Sequence, residues 1–178
     1  MSERSIVHGA ALAELSGGAR VLIRPLEAGD ADAFQGFVRH LSPASRRHRF
    51  HSPLRALPQR LLTDLTRLDP QRHRAWIAEP DGEAPAIVAE VRYATGETRE
   101  AEFAIAVAEG WRRRGLGRLL LATLEARARS AGLTRLFGDV LAGNHEMMSF
   151  AARFGFRKEA LATERGCVRV IKSLRATS

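Results

Sequence analysis

The 178-residue chain has the length of one domain with a substantial core, and 45% apolar with 27% charged residues is a globular composition. A net charge of +8 rests almost wholly on arginine, because Lys158 and Lys172 are the only lysines. The single cysteine, Cys167, excludes an intrachain disulfide and a cysteine-built metal cluster, and no stretch of about 20 apolar residues offers a membrane-spanning helix.

Residues 1–18 end in Ser16-Gly17-Gly18 and read as a loosely held arm before a single domain over 19–178. The arm has no apolar core flanked by basic residues, so no secretion signal and a reduced, cytoplasmic compartment are expected. Val21–Ile23 is a short strand closed by Pro25. Asp30 is the expected N-cap of a helix over Ala31–Leu41, with Ala33, Phe34, Phe37 and Leu41 on its apolar side. Ser42-Pro43 stops that helix, and a basic segment, Ser45–His51, follows. A second helix, Gln59–Leu68, lies between Pro58 and Asp69-Pro70.

Three strands come next: Ala75–Ala78, Ala86–Tyr93 and Glu100–Val107, joined by turns at Pro80-Asp81-Gly82 and Thr95-Gly96-Glu97. In the second, Ile87, Ala89 and Val91 share one face and Val88, Glu90 and Arg92 the other. Leu116, Leu120 and Leu124 mark one face of a long helix that Gly132 ends. Then come a strand, Leu136–Leu141, a helix from the cap Asn144 to Phe154, and strands over Arg157–Ala162 and Val168–Leu174. This order predicts an α/β fold, a mixed central sheet flanked by helices.

The turn between Val107 and the long helix carries the clearest chemistry. Its amides stand at a helix N-terminus, where the first four N–H groups lack partners and the dipole is positive. Gly115 and Gly117 let an anion approach the backbone, and Arg112, Arg113, Arg114 and Arg118 surround it with charge. A phosphate or pyrophosphate site is expected; the alternative is an ordinary turn with solvated arginines. The dinucleotide fingerprint fails because Leu120 stands where a third glycine is needed, and the phosphate-binding P-loop fails for want of a lysine. The arginines are spread along the chain and aromatics make up only 6%, which weighs against nucleic acid as the partner.

Val107-x-x-x-Trp111-Arg112-x-x-Gly115-x-Gly117 resembles the cofactor segment of the GNAT N-acetyltransferases in residues and spacing. Asn144-x-x-Met147-x-x-Phe150-Ala151-x-x-x-Gly155-Phe156 resembles their second signature. Within that family, Leu41-Ser42-Pro43, Arg49-Phe50, Ser52-Pro53-Leu54 and Ala101-Glu102-Phe103 are similar to the acetyltransferase domain of bacterial Pat-type protein lysine acetyltransferases, over about residues 20–160.

The resemblance implies the GNAT fold and acetyl-CoA as co-substrate. Its pyrophosphate would lie on the amides of Arg113 to Arg118, Leu116 included, and its pantetheine beside Ile105, Val107 and Asn144. The acceptor would be an amine, a protein lysine by the closer likeness. A lysine of pKa about 10.4 is protonated at pH 7 and must lose a proton to attack a thioester. Glu102 matches the Pat-type general base, with Glu100 and Glu90 as alternatives and ion pairs with Arg92 or Arg99 as the competing structural role. Many family members have a tyrosine where Ala151 stands, so no general acid is named. A small-molecule amine acetyltransferase and a catalytically silent acyl-CoA-binding domain are the rival readings. No metal site and no membrane contact are expected, and the sequence leaves room for a homodimer. His48 and His51 read as part of a solvated basic segment, and Cys167 as a core residue.

Overall fold

The strands expected from alternation pair into one sheet in the computed structural model, which describes residues 9–82, 86–163 and 166–174. Among the described residues eight strands run in the order β1-β2-β3-β4-β5-β6-β8-β7. They are β1 Ala11–Glu14, β2 Arg20–Pro25, β3 His73–Pro80, β4 Ala89–Thr95, β5 Glu100–Val107, β6 Arg135–Leu141, β7 Arg157–Thr163 and β8 Cys167–Ser173. Five helices accompany them: α1 Ala31–His40, α2 Pro43–Phe50, α3 Gln59–Thr66, α4 Leu116–Ser130 and α5 His145–Arg153. Each face of the sheet has its own core. On one, Leu116, Leu120, Leu121 and Leu124 of α4 pack on Val91, Phe103 and Leu136. On the other, Phe34, Phe37, Leu41 and Leu62 pack on Ala75 and Ile77. Each such side chain contributes about 1.5–3 kcal/mol.

Several expectations are corrected. Ala11–Glu14, read as part of a loose arm, pairs antiparallel with β2 and forms the edge of the sheet; residues 1–8 lie outside the described residues. β4 begins only at Ala89, and the alternation expected from Ile87 onward is broken: Ile87 joins the α1–α3 core, whereas Val88 joins the α4 core. Asp30 precedes α1 without capping it by its side chain, because its carboxylate accepts from Arg24 and from the Glu27 amide. The segment 43–50, read only as basic, is helix α2. Ser42 Oγ accepts from the Ser45 amide at 3.1 Å, Pro43 opens the helix, and His51 closes it with φ 53°. Its arginines gave no apolar period, but the Ser-Pro start was a legible helix signal that reads equally as a stop.

The sheet is continuous except at its one parallel contact. β5 and β6 pair through only Glu100–Arg135, Ala101–Leu136 and Glu102–Phe137, then separate. Beyond that point the Phe103 ring lies against Gly138, where a Cβ would stand 2.8 Å from Phe103 Cε1 and 3.2 Å from the Phe103 carbonyl oxygen. Gly138→Ala is expected to destabilise the protein by about 1–3 kcal/mol through overpacking. A lowered urea midpoint at constant m would show it, and an unchanged midpoint would mean that the wedge yields freely.

Candidate active site

The separation of β5 from β6 leaves main-chain groups of β5 without a strand partner. The Ala108 amide turns toward β4, donating to Val88 O at 2.9 Å, while Arg99 O faces β6 and accepts from the Thr134 amide at 2.7 Å. Alternation therefore aims the main-chain groups of Ile105 and Val107 into the gap. Their side chains pack toward α4, while Ala106 packs toward the α1–α3 core and Glu102 stands exposed on that same side. An extended ligand in the gap would pair with β5 as a missing strand does.

At the far end of β5, a 3-10 turn over Glu109–Trp111 leads into the loop before α4. Gly115 has φ 88°, a left-handed conformation that suits glycine, and its carbonyl accepts the first helical bond from Leu119 at 3.0 Å. Gly117 sits in the first turn, where an added Cβ would touch Phe150 at 3.6 Å and Val107 at 3.8 Å. The first-turn amides, Leu116, Gly117 and Arg118, have no helical carbonyl before them to accept their protons. The loop itself is braced: the Ser16 amide donates to Arg114 O at 3.1 Å, and the Arg114 guanidinium lies 5.2 Å from the Trp111 ring centre.

Gap and loop open into one cleft of about 1390 Å³ that passes from one face of the sheet to the other. Phe50, Leu61 and Leu65 wall it on the side of Glu102; Met147, Phe150 and Arg118 wall it on the side of α4 and α5. Four acids line it. Glu125 pairs with Lys172 at 2.7 Å, Asp139 with Arg169 at 2.8 Å, and Glu146 with Arg112 at 3.5 Å. Among the described residues Glu102 has no such ion pair. The other two glutamates considered as bases are spent. Glu100 pairs with Arg135 at 3.3 Å. Glu90 is 0% exposed and sits between Arg49, at 3.2 Å, and Arg92. Burial raises its pKa, but the two guanidinium charges outweigh burial and hold it below the usual carboxylate range.

The remaining expected residues divide clearly. Ile105, Val107, Arg112, Arg113, Gly115, Gly117, Arg118 and Asn144 line the cleft together with Glu102. The Leu116 side chain is buried in the α4 core and offers only its amide. The Arg114 side chain lies on Trp111 and does not line the cleft. Asn144 Oδ1 accepts from the Met147 amide at 3.1 Å, so its side chain caps α5. Ala151 is buried, and Tyr93 packs on Trp76 away from the cleft, so neither supplies a proton donor there. Cys167 is half-buried rather than in the core, with its sulfur 3.9 Å from His51 Nδ1, a pairing no sequence spacing suggested. His48 also lines the cleft, and burial, then the nearby Arg112 and Arg47 charges, lower its pKa. Sequence reading gave no role to Ser45 and Glu109, which hold α2 against the loop; Ser42-x-x-Ser45 was their signal.

A sheet opened beside a glycine-bearing helix start, with an exposed carboxylate outside any ion-pair contact across the opening, suits transfer of an acyl group from a coenzyme A thioester to an amine. The model of the acetyltransferase (GNAT) family matches residues 36–156. An acetyltransferase of Pseudomonas aeruginosa is 31% identical over 144 residues, covering 80% of this chain and 77% of the relative. The crystal structure of the GNAT domain of S. lividans PAT superposes with a TM-score of 0.84 at 26% identity, covering 92% of this chain and 96% of that one. A cAMP-binding acyltransferase from Mycobacterium smegmatis has the same fold at 22% identity and a TM-score of 0.65, with this chain spanning 48% of its length. The chain belongs to the GNAT acetyltransferase family and is an acyl-CoA-dependent N-acetyltransferase. No helix among the described residues is long and apolar enough to cross a membrane.

Proposed function

We propose that the protein transfers the acetyl group of acetyl-CoA to the ε-amine of a lysine displayed by another protein, and that Glu102 takes the amine proton. One observation carries this reading: of the acids lining the cleft, Glu102 is the one that makes no ion-pair contact among the described residues, with Arg169, already paired to Asp139, as a more distant charge. In the proposed step a water-free or water-bridged amine gives its proton to the Glu102 carboxylate, and the amine nitrogen attacks the thioester carbonyl. The C–N bond forms, the C–S bond breaks and CoA leaves as a thiolate, and the second proton that the nitrogen must lose passes to that thiolate or to water, so that the products are the amide and CoA. A thiol pKa of about 8.5 makes that thiolate a tolerable leaving group without a dedicated acid. The pyrophosphate would rest on the first-turn amides of α4, with Arg113 and Arg118 beside it, and the pantetheine along Ile105 and Val107.

The same pairing of acids argues for a single presented amine over a polyamine, since a polycation would find the other carboxylates neutralised. The likeness to Pat-type domains in the sequence and the similarity to the S. lividans PAT domain support a protein acceptor. A basic docking face over Ser45–Arg55 would be narrower than the composition of that stretch suggests. Arg46 donates inward to Leu54 O at 2.7 Å and Arg39 O at 3.0 Å, and Arg49 is tied to Glu90. Arg47, His51 and Arg55 stay exposed and would meet an acidic patch around the lysine.

The test is a competition. At two salt concentrations, kcat/KM is compared for purified acyl-CoA-ligase-type proteins, spermidine and small amines. We expect the protein acceptor to lead by at least about tenfold and to lose ground as salt rises. Faster turnover of the free amines, with no protein acetylated above the chemical background, would leave a small-molecule acetyltransferase.

A further inference from the structure

We propose that Arg112 is a positioning residue that joins helix α2 to the end of strand β5, and that it does not bind the cofactor's phosphates. Although it stands in the arginine-rich turn, its side chain points back from the loop. Nε donates to Val107 O at 3.0 Å, Nη2 to Ser45 Oγ at 2.7 Å, and Nη1 reaches Glu146 Oε2 at 3.5 Å. All three guanidinium nitrogens are engaged, each by a different element: the end of β5, α2 and the first turn of α5.

The far side of this joint is equally complete. Ser45 is buried on α2. Its hydroxyl accepts from Arg112 and, at 2.9 Å, from Ser42 Oγ, and donates its one proton to Glu109 Oε1 at 2.6 Å. Ser42 Oγ in turn accepts from the Ser45 amide, and the Ser42 amide donates to the same Glu109 oxygen at 3.1 Å. A hydroxyl has one donor and two acceptor sites, and Ser45 uses all three. Burial pushes the Glu109 carboxyl up, but the neighbouring Ser42 and Ser45 and the backbone amides of Glu109 and Ser42 bring it down to about 2, so the anion is present at any working pH.

Arg113 and Arg118 show the contrast. Both are exposed, both line the cleft, and neither has an ion pair among the described residues. Both are free to turn toward phosphates, whereas swinging the Arg112 guanidinium onto a phosphate would break its bonds to the Val107 carbonyl and the Ser45 hydroxyl. What Arg112 gains by staying is the placement of α2, whose His48, Arg49 and Phe50 form the cleft wall opposite the gap. The strand that would hold the cofactor and the helix that would meet the acceptor are thereby held in one register. A planar fork with several donors can bridge such a set, whereas the compact ammonium of lysine cannot.

Two measurements that need no acceptor test this. One is amide hydrogen exchange over residues 43–50; the other is CoA affinity by calorimetry at two salt concentrations. Arg112→Gln, Arg112→Lys and Ser45→Ala are each expected to speed exchange in 43–50 about tenfold or more, while CoA affinity and its salt dependence stay within about twofold. The double variant Arg113→Gln/Arg118→Gln is expected to weaken CoA about tenfold, with a shallower salt dependence and unchanged exchange in α2. With whichever acceptor turns over fastest in the competition above, Arg112→Lys should raise the acceptor KM about tenfold and leave kcat within about threefold. The proposal is overturned if Arg112→Gln weakens CoA tenfold with α2 exchange unchanged, or if Arg112→Lys behaves as wild type in both measurements. Should Arg112→Gln not fold, the Lys and Ser45→Ala variants decide alone. The joint rests on the acyl-CoA reading of the gap but not on the lysine acceptor: failure of protein acetylation would leave both readouts standing.

Discussion

Replacing Glu102 with glutamine is expected to lower kcat about 10²- to 10⁴-fold at neutral pH and to leave CoA affinity nearly unchanged. Glutamine keeps the shape and the hydrogen-bonding reach of the side chain but cannot take a proton. The neutral fraction of a lysine of pKa about 10.4 is only about one in 2,500 at pH 7, so most of the catalytic task there is proton removal. The deficit should therefore shrink as pH rises toward 10, where the acceptor deprotonates without help. A pH profile of kcat for both proteins, with CoA binding measured alongside, separates this from a folding defect. The neighbouring acids offer no ready substitute, since Glu100 is paired with Arg135 and Glu90 is buried between two guanidinium groups. Full activity of the variant at pH 7 would leave solvent as the base.

Gly117→Glu is expected to abolish measurable CoA binding at concentrations that saturate the wild-type protein. The new Cβ alone is tolerable, since 3.6 Å to Phe150 and 3.8 Å to Val107 are ordinary contacts. The rest of the side chain must then leave along the loop, where the pyrophosphate would lie. A carboxylate held about 4 Å from a phosphate charge costs about 4 kcal/mol at an effective dielectric of 20, near a thousandfold in affinity. Gly117→Ala is the control and should cost less than about tenfold, since it adds bulk without charge. Calorimetry showing unchanged affinity in the glutamate variant would move the phosphates off this helix start. Circular dichroism of both variants guards against misfolding.

Sequence and structure agree best where one physical signal acted alone. β5 has the bounds expected between the Thr95-Gly96-Glu97 turn and the glycine loop, Glu100–Val107, and α4 starts at the Leu116 of the leucine period. Gly115 was legible because its positive φ leaves few other residues acceptable, whereas at Gly117 a Cβ would meet only ordinary contacts. Legibility failed where two signals conflicted or where partners lay far apart in the chain. Ser42-Pro43 serves both as the end of α1 and as the cap of α2, and only packing decides between them. β4 carries Glu90 and Arg92 on one of its alternating faces, yet both are buried as an ion pair, with Arg49, 41 residues earlier than Glu90, as a second partner of the glutamate. Likewise Arg112 was legible as a charge near an anion site. That it turns to Ser45, 67 residues earlier, is a fact of the fold alone.

The short contact between β5 and β6 also bears on how the chain reaches this fold. β1 with β2, and β3 through β5, close as antiparallel neighbours; β4 and β5 are a hairpin that needs only local loop closure. β6 must instead reach β5 in parallel across the whole of α4, and it finds just three residue pairs when it arrives. Long loop closure with so small a reward makes this docking the natural late step of folding. Substitutions along the α4 crossover or at Gly138 should then act mainly on the unfolding rate, those within the β4–β5 hairpin on the folding rate. A chevron series would read the order directly, and the nucleus it locates would lie on the side of the sheet that precedes the cleft.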